Sequence, residues 1–157
     1  MVKEKKQTMI STGTIALNRK ARFNYAITET FEAGIALLGS EVKSLRQGKA
    51  SIGEAYVADK DGVLCLLNAN IPEYDQSLTK HDPKRARPLL LKTKQIKDLM
   101  GKIKTEGLTI IPLALYFNKR GIAKVEIGLA KGKKTIDKRE DIKKRDWSRQ
   151  KQRLMKN

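Results

Sequence analysis

The chain has 157 residues, with 34 Lys or Arg against 17 Asp or Glu and a formal net charge of +17. That length suits one domain with a real core, and so large a positive excess points to a polyanionic partner, nucleic acid ahead of a membrane surface or an acidic protein. No apolar run approaches the roughly 20 residues of a membrane span, the one cysteine excludes an internal disulfide, and the one histidine, His81, leaves neither a histidine pair nor a zinc ligand set.

Three parts follow one another. Residues 1–13 form a polar, Lys-bearing lead, expected to be flexible and lacking the apolar segment of a secretory signal. Residues 14–130 hold the strong hydrophobic periodicity, and 131–157 form a charged tail. Cys65, inside Val63-Leu64-Cys65-Leu66-Leu67, reads as a small buried hydrophobe. A lone thiol and no export signal fit a cytoplasmic location.

Along the body, Leu17 to Arg22 fits a turn or two of helix. Tyr25, Ile27, Phe31, Ala33, Ile35 and Leu37 then alternate, which predicts a strand with one buried face. Glu29 breaks the set, and Gly34 is the expected bulge. Ser40 to Gln47 reads as a short helix with Val42 and Leu45 inward, stopped by Gly48. Ala55-Tyr56-Val57-Ala58 and Val63 to Ile71 flank Asp59-Lys60-Asp61-Gly62, a hairpin composition. A long polar loop, mildly basic through Lys80, Lys84, Arg85 and Arg87, fills the interval before Leu89. Ile96, Leu99, Met100 and Ile103 follow a helical period, with Thr93 as the expected cap and Gly107 past the end. Leu108 to Phe117 and Ile122 to Ala130 flank Asn118-Lys119-Arg120-Gly121, a second hairpin. Pro112 requires an edge strand or a bulge. Three strands, a helix and two strands is the order of an OB-fold, so the expected class is mainly β, an OB-like antiparallel barrel with about three helices.

Nothing here favours catalysis, a cofactor or a metal. No phosphate-binding GxxxxGK[ST], GxGxxG or GxSxG motif occurs. His81, between Lys80 and Asp82, reads as a solvated loop residue. Glu32, Glu41, Glu54 and Glu126 each read as solvated surface carboxylates.

The basic features carry the functional reading. Asn18-Arg19-Lys20-Ala21-Arg22 sets three cations and an amide within five residues, able to pair with phosphates and offer an amide to a base or ribose edge. The tail has 12 basic and 4 acidic residues. Its large apolar groups, Ile136, Ile142, Trp147, Leu154 and Met155, are too few to fold it alone. Helix signals are present all the same. Asp137 with Glu140 has capping-box spacing, and Glu140–Lys144 and Asp141–Arg145 are favourable pairs. A tail disordered when free and helical in an anionic channel fits this pattern, as do a helix packed on the barrel and plain disorder. Of eight aromatics, most fall in apolar strand patterns, with Tyr74 and Trp147 the exceptions, so stacking on single strands is a poor fit. Shape, phosphate and 2′-hydroxyl recognition of a folded RNA fits better.

Six segments in order then resemble the small protein B (SmpB) family, the bacterial partners of transfer-messenger RNA in ribosome rescue by trans-translation. They are Ile15-Ala16-Leu17-Asn18-Arg19-Lys20-Ala21, Phe31-Glu32-Ala33-Gly34-Ile35, Gly39-Ser40-Glu41-Val42-Lys43-Ser44-Leu45-Arg46, Leu89-Leu90-Leu91, Lys124 through Lys134, and Asp137-Lys138-Arg139. The resemblance implies an OB-like barrel bound to the tRNA-like domain of transfer-messenger RNA. It also implies a tail entering the vacant messenger channel by the decoding region of the small ribosomal subunit, delivery with elongation factor Tu, and no catalysis. A monomer away from membranes is expected. By position it marks Asn18, Glu32, Leu90 and Lys124 as RNA-binding, with Arg19, Lys20, Lys43, Lys131, Lys133 and Lys134 beside them. Gly132, Asp137, Lys138, Arg139, Trp147, Leu154 and Met155 belong to the ribosome-contacting tail. Phe23, Asn24, Pro88, Lys92 and Ile136 depart from the family pattern. The competing readings are an OB-type ribosomal or generic RNA-binding protein, and an RNA-processing enzyme built on His81.

Overall fold

The computed structural model describes residues 13–76, 78, 80–132 and 135–155. Apart from Gly13, the N-terminal lead lies outside the described residues. In chain order the elements are β1 (Gly13–Leu17), α1 (Ala21–Asn24), β2 (Tyr25–Ile35), α2 (Gly39–Arg46), β3 (Tyr56–Lys60), β4 (Val63–Leu67), β5 (Arg87–Leu90), α3 (Thr93–Glu106), β6 (Thr109–Phe117), β7 (Ala123–Gly132) and α4 (Thr135–Met155). All strand pairings are antiparallel, and β6–β3–β4–β5–β2–β7 closes on itself through the β6–β7 pair. The result is a mainly β barrel, with β1 added along the free edge of the second half of β6.

Both predicted hairpins form, and their turns explain why. Asp61 and Gly62 have φ of 54° and 83°, the positive pair that matches the twist of a two-residue hairpin. In the other, Asn118 Oδ1 accepts from the backbone N–H groups of Arg120 and Ile122, a side-chain turn that suits Asn. The arm after Cys65 ends at Leu67, because Asn68 turns left-handed at φ 59°. Two short strands, β1 and β5, carry too little alternation to be legible in sequence. The helical period of α3 holds, with Gly107 at φ 65° closing it. Its cap is Lys92 rather than Thr93, because the Gln95 side chain accepts from the Lys92 N–H. Residues Leu17 to Arg22 are not one helix: Leu17 ends β1, and α1 is a single turn beginning at Ala21.

The barrel interior is filled by Leu45 of α2, Leu99 of α3 and strand residues including Leu66, Ile110, Leu115, Val125, Ile127 and Leu129. Each such side chain, removed from water, contributes about 1.5–3 kcal/mol. Cys65 is buried as expected.

Two bulges shape the outside. In β2 the register slips between Ile27 and Glu29, and in β6 between Pro112 and Ala114. A one-residue slip moves the apolar phase to the other face of the sheet. Phe31, Ala33 and Ile35 therefore pack toward the barrel core while Ile27 faces the opposite side. Leu115 and Phe117 likewise face inward and Ile111 and Leu113 outward. The expected single buried face of β2 is thus two faces joined by a bulge, and the bulge is at Thr28, not Gly34. Gly34 is required for a different reason: a Cβ there would lie 3.0 Å from the Cβ of Leu90. Pro112 is tolerated through the bulge, as its missing donor requires.

Candidate nucleic-acid interface

The two bulges build a small apolar seat outside the barrel wall, made by Ile111, Leu113 and Ala130 with Tyr25 and Ile27. Ala21 of α1 fills it and is buried. Asn18 fastens the approach to this helix. Its backbone N–H donates to Leu113 O at 2.8 Å, and its Nδ2 donates to Pro112 O at 2.9 Å. Its amide donors are therefore turned inward onto the β6 bulge, and Asn18 positions the basic segment. Its Oδ1 is buried and has no partner among the described residues. Arg19, Lys20 and Arg22 are left exposed around it.

The adjoining wall gathers residues far apart in sequence. Register places Leu90, Gly34, Lys124 and Tyr116 side by side across β5, β2, β7 and β6. Two residues along, Glu32, Glu126 and Ala114 form the next row. Leu90 is 62% exposed, Glu32 is exposed and Lys124 half-buried. Three of the four positions marked by the resemblance thus share one outer surface. A groove lined by Asn18, Arg19, Arg22, Leu113, Ala114 and Glu126 joins that surface to the α1 cations.

Glu32 is not a loose carboxylate, because the Tyr116 hydroxyl donates to its Oε2. Burial first, then the hydrogen bond and charge of Glu32, with Glu126 behind, push the Tyr116 phenol up, so it remains a protonated donor. In sequence Tyr116 falls among the aromatics of apolar strand patterns. The β6 bulge reverses the phase, so Tyr116 stands out of phase with the inward Leu115 and Phe117, and no local pattern announces that.

Lys43 lies elsewhere, exposed on α2 with its Nζ 5.8 Å from the centre of the Tyr74 ring. Tyr74 is accordingly half-covered, and its hydroxyl donates to Gln76. Lys131 and Gly132 are exposed at the end of β7, opposite Ala26 and Tyr25. Lys133 and Lys134 lie outside the described residues. α4 begins at Thr135, so Asp137 stands inside its first turn and is not its cap, with Lys138 and Arg139 following. Trp147, Leu154 and Met155 are 68%, 78% and 77% exposed, an apolar set with no cover from the barrel.

Two readings of single residues are overturned. Glu41 is fully buried and paired with two arginines. Arg85 donates to its Oε1 at 2.6 Å, and Arg87, also fully buried, donates through Nε to its Oε2. Arg87 spends further donors on the carbonyls of Ala69, Arg85 and Pro83. The two arginines are thereby drawn out of the expected basic loop to fasten α2, the loop and β5 together. His81 is buried as well. Its Nε2 donates to Ile71 O, which leaves Nδ1 to accept from Ser40 Oγ, each at 2.9 Å. With both nitrogens engaged and buried, the ring is not placed to act as a general base. Among the described residues, no group of three or more His, Cys, Asp or Glu could hold a metal ion, and no helix is long and apolar enough to cross a membrane.

Comparison with known proteins agrees over most of the chain. The SmpB protein family model matches residues 15–157. An SsrA-binding protein of Bradyrhizobium sp. strain BTAi1 is 58% identical over 153 residues, covering 97% of this chain and 96% of that one. One from Maricaulis maris is 57% identical over 147 residues, 93% and 94% of the two chains. A chain of the solved structure "tmRNA-SmpB: a journey to the center of the bacterial ribosome" superposes with a TM-score of 0.64 at 47% identity, covering 80% of this chain and 87% of that one. A barrel with an outer wall of this composition, matched by the family model over residues 15–157 and by relatives over more than nine-tenths of the chain, places it in the SmpB protein family.

Proposed function

We propose that this protein binds the tRNA-like domain of transfer-messenger RNA and enables rescue of stalled ribosomes by trans-translation. The observation that carries the reading is the single outer surface on which Leu90, Lys124 and Glu32 meet, joined by a groove to Arg19 and Arg22. Lysine and arginine there neutralise phosphates, while Leu90 gives an apolar contact to a sugar or base. The reading rests equally on relatives named SsrA-binding protein and on a solved relative named with tmRNA and the ribosome. The barrel holds the RNA, and the tail carrying Gly132, Asp137, Lys138, Arg139, Trp147, Leu154 and Met155 occupies the vacant messenger channel by the decoding region. In that account the exposed apolar face of α4 is covered by the ribosome, and the tail takes its working helical form there. The protein acts in the cytoplasm as a monomer, is delivered with elongation factor Tu, and performs no chemistry of its own.

Lys124→Ala tests the face. It is expected to weaken binding of the tRNA-like domain and to reduce the log–log salt slope by about 0.7–0.9, the loss of one phosphate contact. Affinity and slope equal to those of the wild-type protein would remove this wall from the interface.

A further inference from the structure

We infer that Tyr116 is a positioning residue of the RNA-binding face: its hydroxyl fixes Glu32 by Oε2 and leaves Oε1 as one oriented acceptor for a donor on the RNA. The inference rests on the RNA-binding reading above and specifies what the face recognises.

Glu32 faces Glu126 directly across the β2–β7 pair, and like charges placed opposite one another repel. Left alone, such a carboxylate turns away among its rotamers, and a phosphate approaching it is repelled. Tyr116, next to Lys124 on the neighbouring strand, reaches across β7 and donates to Oε2. Among the described residues no group bonds Oε1. The side chain is exposed, so that oxygen is available to a ligand. A carboxylate only accepts hydrogen bonds, and the phosphate oxygens of RNA are acceptors too, so phosphate is the wrong partner. The donors that A-form RNA displays in its wide, shallow minor groove are 2′-hydroxyls and the guanine 2-amino group. Lys124 beside Tyr116 suits the flanking phosphate. Tyr116 therefore converts an unfavourable charge in a basic surface into a selective contact, and acts through Glu32.

The test is a cycle of Tyr116→Phe, Glu32→Gln and the double variant, read by affinity for the tRNA-like domain and by thermal unfolding. Tyr116→Phe is expected to weaken binding about threefold to tenfold, the loss of one hydrogen bond's worth of orientation, with little change in unfolding temperature. In the Glu32→Gln background the same change is expected to cost less than about twofold, because the partner is already altered. Two modified RNAs, one with 2′-deoxynucleotides and one with inosine for guanosine in the contacted stem, identify the donor. The Tyr116→Phe penalty is expected to vanish in one of them. A penalty that survives in both, an equal penalty in both protein backgrounds, or binding by the Phe variant equal to wild type overturns the inference. If the wild-type protein itself fails to prefer the tRNA-like domain over random duplex, the RNA-binding reading fails first, and that outcome is distinct.

Discussion

Glu41→Gln is expected to lower the free energy of unfolding by about 3–5 kcal/mol, the cost of breaking a buried ion pair by removing one charge. The side chains of Glu41 and Arg87 are both fully buried. Glutamine keeps the volume but leaves the Arg87 guanidinium with a full charge and only carbonyl partners. Arg85 loses its carboxylate as well, although at 29% exposure it can turn to water. Denaturant unfolding at neutral pH measures the loss, and a change below about 1 kcal/mol would show that the cluster contributes specificity without stability.

The same cluster fixes the acid response. Burial pushes the Glu41 carboxyl up, but the Arg85 hydrogen bond, the Leu38 N–H and the Arg87 charge outweigh it and hold it below its ordinary value of 4.5. A carboxyl lowered by folding stabilises the folded state fully above its ordinary value, and that contribution is lost as pH falls through the lowered one. The wild-type protein is therefore expected to lose more stability than Glu41→Gln on going from neutral pH to well below 4.5. Parallel acid profiles of the two would contradict the pairing.

The second large effect concerns the tail. Deleting residues 133–157, which spares the whole of β7, is expected to leave affinity for the tRNA-like domain within a fewfold of wild type and to abolish tagging of stalled peptides. The wall residues Glu32, Leu90 and Lys124 and the cations Arg19, Lys20 and Arg22 all precede residue 133, and the α4 residues Trp147, Leu154 and Met155 are exposed. Those groups and the excess of basic residues suit an anionic channel. Loss of RNA affinity on deletion would place the tail in the barrel's interface and end the division of labour.

Much of this was legible in the sequence, and the failures share a cause. Both hairpins, α3 and the barrel class follow from local turn chemistry and period. What local pattern could not supply is the phase reversal at the two bulges. Tyr25 and Ile27 have the same parity as Phe31 and Ala33, so the segment reads as one face until β7 pairs with it and Thr28 is squeezed out. From that come the seat for α1, the inward amide of Asn18 and the outward Tyr116. Glu41, Arg85, Arg87 and His81 were misread for another reason. Each is polar, and the partners that decide its placement are distant in sequence: Arg87 and Arg85 lie 46 and 44 positions from Glu41, and Ile71 and Ser40 lie 10 and 41 from His81. The residues carried by family resemblance, Glu32, Leu90 and Lys124, proved to share one wall, a relation that needs strand register and is invisible along the chain.

The most direct measurement of the central claim is binding of the purified protein to the tRNA-like domain of transfer-messenger RNA at physiological salt, with ordinary tRNA and random duplex RNA as competitors. Binding that survives both competitors is the predicted result. Equal displacement by all three RNAs would contradict it, reducing the protein to a generic basic RNA binder and moving the OB-type ribosomal protein ahead.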